Sequence, residues 1–143
     1  MDKVYTIGYE GKEIEDFISL LEKHDIKLIL DVRSSPHSRR EDFDKGNLKK
    51  SLFRKGIKYK HIPELGGLDV DDYEKHMEEK GWLQAYEDLK KSIGNKRSAL
   101  MCLENDPMKC HRRYISEKLE KDGLEVIHIG GGASWKSKQL DDF

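Results

Sequence analysis

Apolar positions recur along the chain with two different periods, and their alternation sets out the fold. "KVYTIGY" is short, rich in β-branched and aromatic residues and ends at Gly8, which predicts a strand. Ile14, Phe17, Ile18 and Leu21 repeat at i, i+3, i+4 and i+7, the spacing of one helix face, and predict a helix from about Lys12 to His24. "KLILDV" is a continuous apolar run, as a parallel strand buried on both faces requires. The polar loop "RSSPHSRREDF" leads into a helix carrying Leu48, Leu52 and Phe53, with Gly56 placed to end it. "IKYKHI" alternates as a third strand. Asp71, with Glu74 three residues on, resembles an acidic capping box. Tyr73 and Met77, then Trp82, Tyr86, Leu89 and Ile93, outline helical stripes interrupted at Gly81. "SALMCL" is a fourth strand. Asp106 and Pro107 suit the N-cap and first position of a last helix, with Met108, Ile115 and Leu119 as its inner stripe. "EVIHI" is a fifth strand, and residues 130–143 form a polar, loosely packed tail.

Strand and helix therefore alternate through one α/β domain, residues 1–143. That order predicts a three-layer α/β/α architecture with a five-stranded, mainly parallel sheet. Right-handed crossovers prune the topologies and leave the strand order open.

Composition narrows the class. The chain has 143 residues, with 28 acidic against 27 basic, so bulk charge does not mark a nucleic-acid binder. Local basic clusters can still bind phosphate. Apolar runs stay far short of the roughly 20 residues that span a bilayer, so no membrane partner is expected. The first strand begins at once, without a signal peptide, which makes a cytoplasmic protein the expectation. Two cysteines are no secreted disulfide scaffold.

The chemistry gathers at one edge. Open parallel sheets bind ligands beyond the carboxyl ends of their strands. The first strand ends at Gly8, Tyr9 and Glu10. The second ends at Asp31 and Arg33, with Ser35, Ser38 and Arg39 in its loop. The third ends at His61, followed by Glu64, Gly66 and Gly67. The fourth ends at Cys102 and Glu104, followed by Cys110, His111 and Arg112, and the fifth ends at His128 and three glycines. Each residue also has a plainer reading. Cys102 in an apolar strand suits packing, Asp31-x-Arg33 makes an easy structural salt bridge, and the histidines suit structural hydrogen bonds. Cys110 falls in a helical first turn that favours a thiolate. If that helix starts at Pro107, however, Cys110 points away from the inner stripe, which His111 and Arg112 flank. "LGG" and "GGG" lack dinucleotide or P-loop spacing and permit close backbone approach. Cys102 and Cys110 are not spaced as a zinc knuckle, so no metal is expected.

Several separated motifs, "TIGYEG", "DVRSSPHSRR", "YKHIPELGG", "CLENDPMKCHRR" and "VIHI", occur in the order of the domain-of-unknown-function-488 family, which the chain resembles from about Tyr5 to Ile129. The Cys-x-Glu…Pro-x-x-Cys-His-Arg block is the most specific part. The resemblance implies a compact α/β domain with site residues at Asp31, Arg33, Arg39, His61, Gly66, Gly67, Cys102, Glu104, Cys110, His111 and Arg112. It supplies no reaction.

Together these readings predict a hydrolase or transferase acting on a phosphate-bearing small molecule or nucleic acid. Arg33, Ser38, Arg39, His61, Gly66, Gly67 and Arg112 would hold the substrate, with the three arginines converging on its anion. Cys102 or Cys110 would supply a thiol, Glu104 a general acid or base, and His111 and Asp31 would complete the set. No cofactor is expected, and the oligomeric state is left open. Arg112 stands on a helix after a strand-end cysteine, loosely as in phosphatases and rhodaneses. The place a C-x5-R motif gives to arginine, however, holds Met108. The alternatives are a thiol redox protein, which needs the Cys102 and Cys110 Cα atoms within about 7 Å, and a non-catalytic module binding nucleic acid or a partner through the arginine loop.

Overall fold

Val4 and Thr6 project to one face of the first strand, and Tyr5 and Ile7 to the other. All four are buried, so this strand needs helices on both sides. A computed structural model describes residues 2–35, 37–67, 70–106 and 111–130, and the backbone of 133–136. The strands are β1 (Lys3–Gly8), β2 (Leu28–Asp31), β3 (Lys58–His61), β4 (Ser98–Cys102), β5 (Glu125–Gly130) and β6 (Ala133–Lys136). The helices are α1 (Ile14–Lys23), α2 (Lys45–Phe53), α3 (Tyr73–His76), α4 (Lys80–Asn95) and α5 (Arg112–Lys121).

Among the described residues the sheet runs β3-β2-β4-β1-β5-β6. The five expected strands are present and mutually parallel. β6, inside residues 130–143, adds an antiparallel edge to β5. β1 and β4 align so that Gly8 sits opposite Cys102, and β2 and β3 so that Asp31 sits opposite His61.

One helical layer, α1 and α2, packs Phe17, Ile18, Leu21, Leu48 and Leu52 against Tyr5, Ile7, Ile29, Ala99 and Met101. The other, α3 to α5, packs Tyr73, Trp82, Tyr86, Leu89, Ile115 and Leu119 against Val4, Leu30, Leu100 and Val126. Each fully buried Leu or Phe contributes roughly 1.5–3 kcal/mol by leaving water. Phe17→Ala would cost about 3–5 kcal/mol, since close packing leaves a cavity. The acidic Glu15 and Asp16 in the first turn of α1, and Lys23 in its last, complement the helix dipole.

Three local expectations change. Asp72, not Asp71, caps α3, accepting from the Lys75 N–H. The break between α3 and α4 falls at residues 77–79, and Gly81 lies inside α4. Phe53 is 81% exposed, because the core-facing stripe of α2 is already filled by Leu48 and Leu52. The expected helix start at Pro107, and Met108 of its stripe, lie outside the described residues.

Candidate functional site

The carboxyl end of β2 carries a buried ion pair. Asp31, 0% exposed, accepts from Arg33 Nε at 2.9 Å, from Nη2 at 2.7 Å and from the Arg33 backbone N–H at 3.1 Å. Tyr59 Oη donates to the same carboxylate at 2.5 Å. Arg33 Nη1 donates to the Phe43 carbonyl at 2.9 Å and to Tyr9 Oη at 3.3 Å. Burial opposes the guanidinium's charge, but the Asp31 carboxylate outweighs it, and the Arg33 pKa ends above its ordinary value. Burial and the bond to Asp31 together push the Tyr59 hydroxyl up. Each Arg33 nitrogen thus serves the protein. The salt-bridge reading of Asp31-x-Arg33 describes this geometry.

The following loop is tied back on itself. Ser38 N–H donates to Asp44 at 3.1 Å, and Ser38 Oγ accepts from the Arg40 N–H at 3.1 Å. Arg40 donates to the Tyr9 and Lys12 carbonyls and lies over the Phe43 ring. Arg39 is exposed and is not among the residues lining the cleft described below. His61, half-buried at the end of β3, lies 2.7 Å from the Arg33 carbonyl. A carbonyl only accepts, so Nε2 of His61 carries a proton.

Beyond β4 the chain lies along the start of the α1 loop. The Tyr9 N–H donates to the Cys102 carbonyl at 3.2 Å and the Glu10 N–H to the Leu103 carbonyl at 2.9 Å. A side chain at Gly8 would place Cβ 1.9 Å from the Glu104 carbonyl oxygen, so only glycine admits this loop. Cys102 is 1% exposed, with Sγ 3.9 Å from that same oxygen. Arg112 is fully buried beneath the loop and donates to the Glu104 and Asn105 carbonyls at 2.7 and 2.9 Å.

The two glycines after β3 serve the same purpose. Gly66 lies against Ser34, where Cβ would sit 2.1 Å from Oγ. At Gly67, Cβ would sit 3.1 Å from the His111 ring. That ring donates from Nε2 to the Val32 carbonyl at 2.9 Å and packs against Tyr73.

These contacts enclose a cleft of about 630 Å³ at the carboxyl edge, between the ends of β2 and β4 and the start of α5. Of the expected site residues, Arg33, Gly67, Cys102, Glu104 and His111 line it. Asp31, His61, Gly66 and Arg112 brace it from behind, and Ser38 braces the loop. Cys110 lies outside the described residues. The three arginines do not converge on one spot. Arg33 is held by Asp31, Arg112 is under the loop and Arg39 does not line the cleft. Arg113 stands in the cleft wall instead, with Ser34, Tyr73 and Tyr114, none of which is among the expected site residues. Arg113 pairs only with exposed Glu117, at 3.2 Å, an interaction of small energy. Among the described residues no three His, Cys, Asp or Glu side chains gather as metal ligands do, and no helix is long and apolar enough to cross a membrane.

The cleft is thus lined by a cysteine, a glutamate, two histidines, two serines and two arginines. Such a set can bind an anion and move a proton beside it. No curated protein and no solved structure matches the chain. Residues 13–119 match the family described as Domain of unknown function DUF488, which spans most of the chain and the larger part of this cleft. The chain therefore belongs to that family.

Proposed function

We propose that this chain is a small cytoplasmic enzyme, a hydrolase or transferase, acting on a phosphate-bearing substrate such as a nucleotide or nucleic acid bound in the carboxyl-edge cleft. The observation that carries this reading is that Glu104 and Cys102 share one cleft with Arg113 and the Ser34-Ser35 turn. Arg113 and the serines suit phosphate oxygens, and Arg33 adds positive field without giving up its own partners. Glu104 is the general acid–base and Cys102 the nucleophile. Glu104 takes the thiol proton as sulfur bonds phosphorus, then gives it to the departing ester oxygen. Water next yields a proton to Glu104 and breaks the S–P bond, and the proton returns to sulfur.

Titration with inorganic phosphate, followed by amide and side-chain NMR, tests the binding half. Ser34, Ser35 and Arg113 signals should move. Hydrolysis of p-nitrophenyl phosphate and of short oligonucleotides tests the chemistry, and Glu104→Gln should lower it by about 10²–10⁴-fold. Unmoved signals at millimolar phosphate, together with turnover that Glu104→Gln and Cys102→Ser leave intact, would reject the assignment.

A further inference from the structure

Arg112 has no carboxylate within ion-pair distance among the described residues. Its Nη2 grips the carbonyls of Glu104 and Asn105, its Nη1 donates to Thr6 Oγ1 at 3.4 Å, and its Nε has no hydrogen-bond partner among the described residues. This is a costly place for a cation. It is removed from water and stands at the first turn of α5, where the helix dipole is positive. Lys12 is close enough that its own pKa is lowered, chiefly by burial and then by Arg112. Packing alone would be met better by an apolar side chain of similar volume.

The two N–H groups of the single nitrogen Nη2 fix two successive carbonyls, while Nη1 of the same rigid plane reaches Thr6. Those carbonyls belong to the segment that presents Glu104 to the cleft. The same segment is held on its other side by Gly8 and by Asn105. Asn105 donates from Nδ2 to the Glu10 carbonyl at 2.6 Å and accepts from Lys12 Nζ at 2.5 Å. Behind the guanidinium the hydrogen bonds run in one direction. Arg112 can only donate, so Thr6 Oγ1 accepts from it. The Thr6 proton is then directed at His128 Nδ1, 2.5 Å away on β5.

We propose that Arg112 is a positioning residue for Glu104, acting through the peptide carbonyls of the loop after β4 and not by touching ligand, with Thr6 and His128 fixing the direction of its hydrogen bonds. The inference rests on the reading of Glu104 as the acid–base group of the cleft.

The test uses a Cys110→Ser background, in which Cys102 at the root of the loop is the sole thiol. Inorganic phosphate is the probe. Phosphate should shift the side-chain ¹⁵N signals of Arg113 and leave those of Arg112 in place. Arg112→Gln should raise Cys102 alkylation about tenfold, as expected when a charge-assisted bond restraining the loop is lost. Arg112→Lys should rescue this in part, and it carries the comparison if the Gln variant does not fold. Thr6→Val should abolish the hydrogen-bonded Nδ1 signature of His128, and Thr6→Ser should retain it. A phosphate shift at Arg112 as large as at Arg113 makes Arg112 a ligand contact and overturns the inference. So does a folded Arg112→Gln protein whose Cys102 reacts at the parent rate. If phosphate moves neither arginine while Arg112→Gln still exposes Cys102, the phosphate reading fails and the positioning role stands.

Discussion

Asp31 and Arg33, two residues apart, meet as carboxylate and guanidinium fork with Asp31 wholly buried and Arg33 only 8% exposed. Removing one member strands the other as a buried charge. Asp31→Asn should therefore cost about 3–5 kcal/mol in urea unfolding. Lys27→Ala, which breaks the exposed pair with Asp25, should leave the same curve unchanged. Comparable losses in the two variants would show that the Asp31 pair is far better hydrated than its burial indicates.

Glycine substitutions should separate by the space around each residue. Gly8→Ala and Gly66→Ala drive Cβ into backbone, at the Glu104 carbonyl and at Ser34, and each should cost about 1–3 kcal/mol or more. Gly46, in α2, has nothing within 4 Å of its Cβ position. Gly46→Ala should be neutral or stabilising by up to about 1 kcal/mol, as helix propensity favours alanine. Thermal midpoints of the three variants decide the matter, and a destabilised Gly46→Ala alongside an unaffected Gly8→Ala would contradict the packing described.

His128 should make stability depend on pH. Burial first, and the Arg112 charge second, lower its pKa from the ordinary 6.5 to about 4. Between those values the unfolded chain binds a proton that the folded one refuses, so stability rises with pH across this window and is lost as pH falls through it. The contribution is on the order of 3 kcal/mol. His128→Asn keeps an acceptor for Thr6 and cannot titrate, so its unfolding free energy should fall less between pH 7 and 4.5. Equal slopes for variant and parent would mean that His128 does not remain neutral.

Cys102 should be a slow thiol in the folded protein. Its side chain is 1% exposed and is reached only from the cleft it lines, so an alkylating reagent has a narrower approach than in the unfolded chain. In Cys110→Ser protein, alkylation should be roughly tenfold or more slower than after unfolding in urea. A native rate equal to the unfolded one would place the sulfur on an open surface.

The layers of this fold were legible because burial follows period. Phe17, Ile18 and Leu21 face inward as their spacing requires, and the continuous run at β2 is buried on both faces. The edge that gathers the site was legible for the same reason, since strand ends fix which residues meet there. Side-chain direction was less so. Arg112 stands three residues before Ile115 and seven before Leu119, so it shares their buried stripe, and Arg113, one residue on, turns about a quarter of the circle to the cleft. In the sequence this phase is read from Met108, Ile115 and Leu119, which sets Arg112 on the flank of the stripe, whereas in the structure Arg112 is buried with Ile115 and Leu119. Arg39 had no such signal, because it stands in a loop with no periodic face. Tyr73 gave only a helical stripe, although its hydroxyl, bonded to the Leu65 carbonyl, helps shape the cleft wall.

The pairing of β1 with β4 also has a consequence for how the protein is made. Gly8 leaves the ribosome early and Cys102 late, yet each completes the other's position. Pairings between such distant parts of a chain close large loops and form slowly. A nascent or truncated chain that lacks β4 has the inner strand of its sheet missing, with β1 and β2 unpaired along the edges where β4 belongs. The native sheet should therefore form in one step once β4 has docked. Fragments ending before Cys102 should lack it, and they should also tend to pair with one another along those open edges.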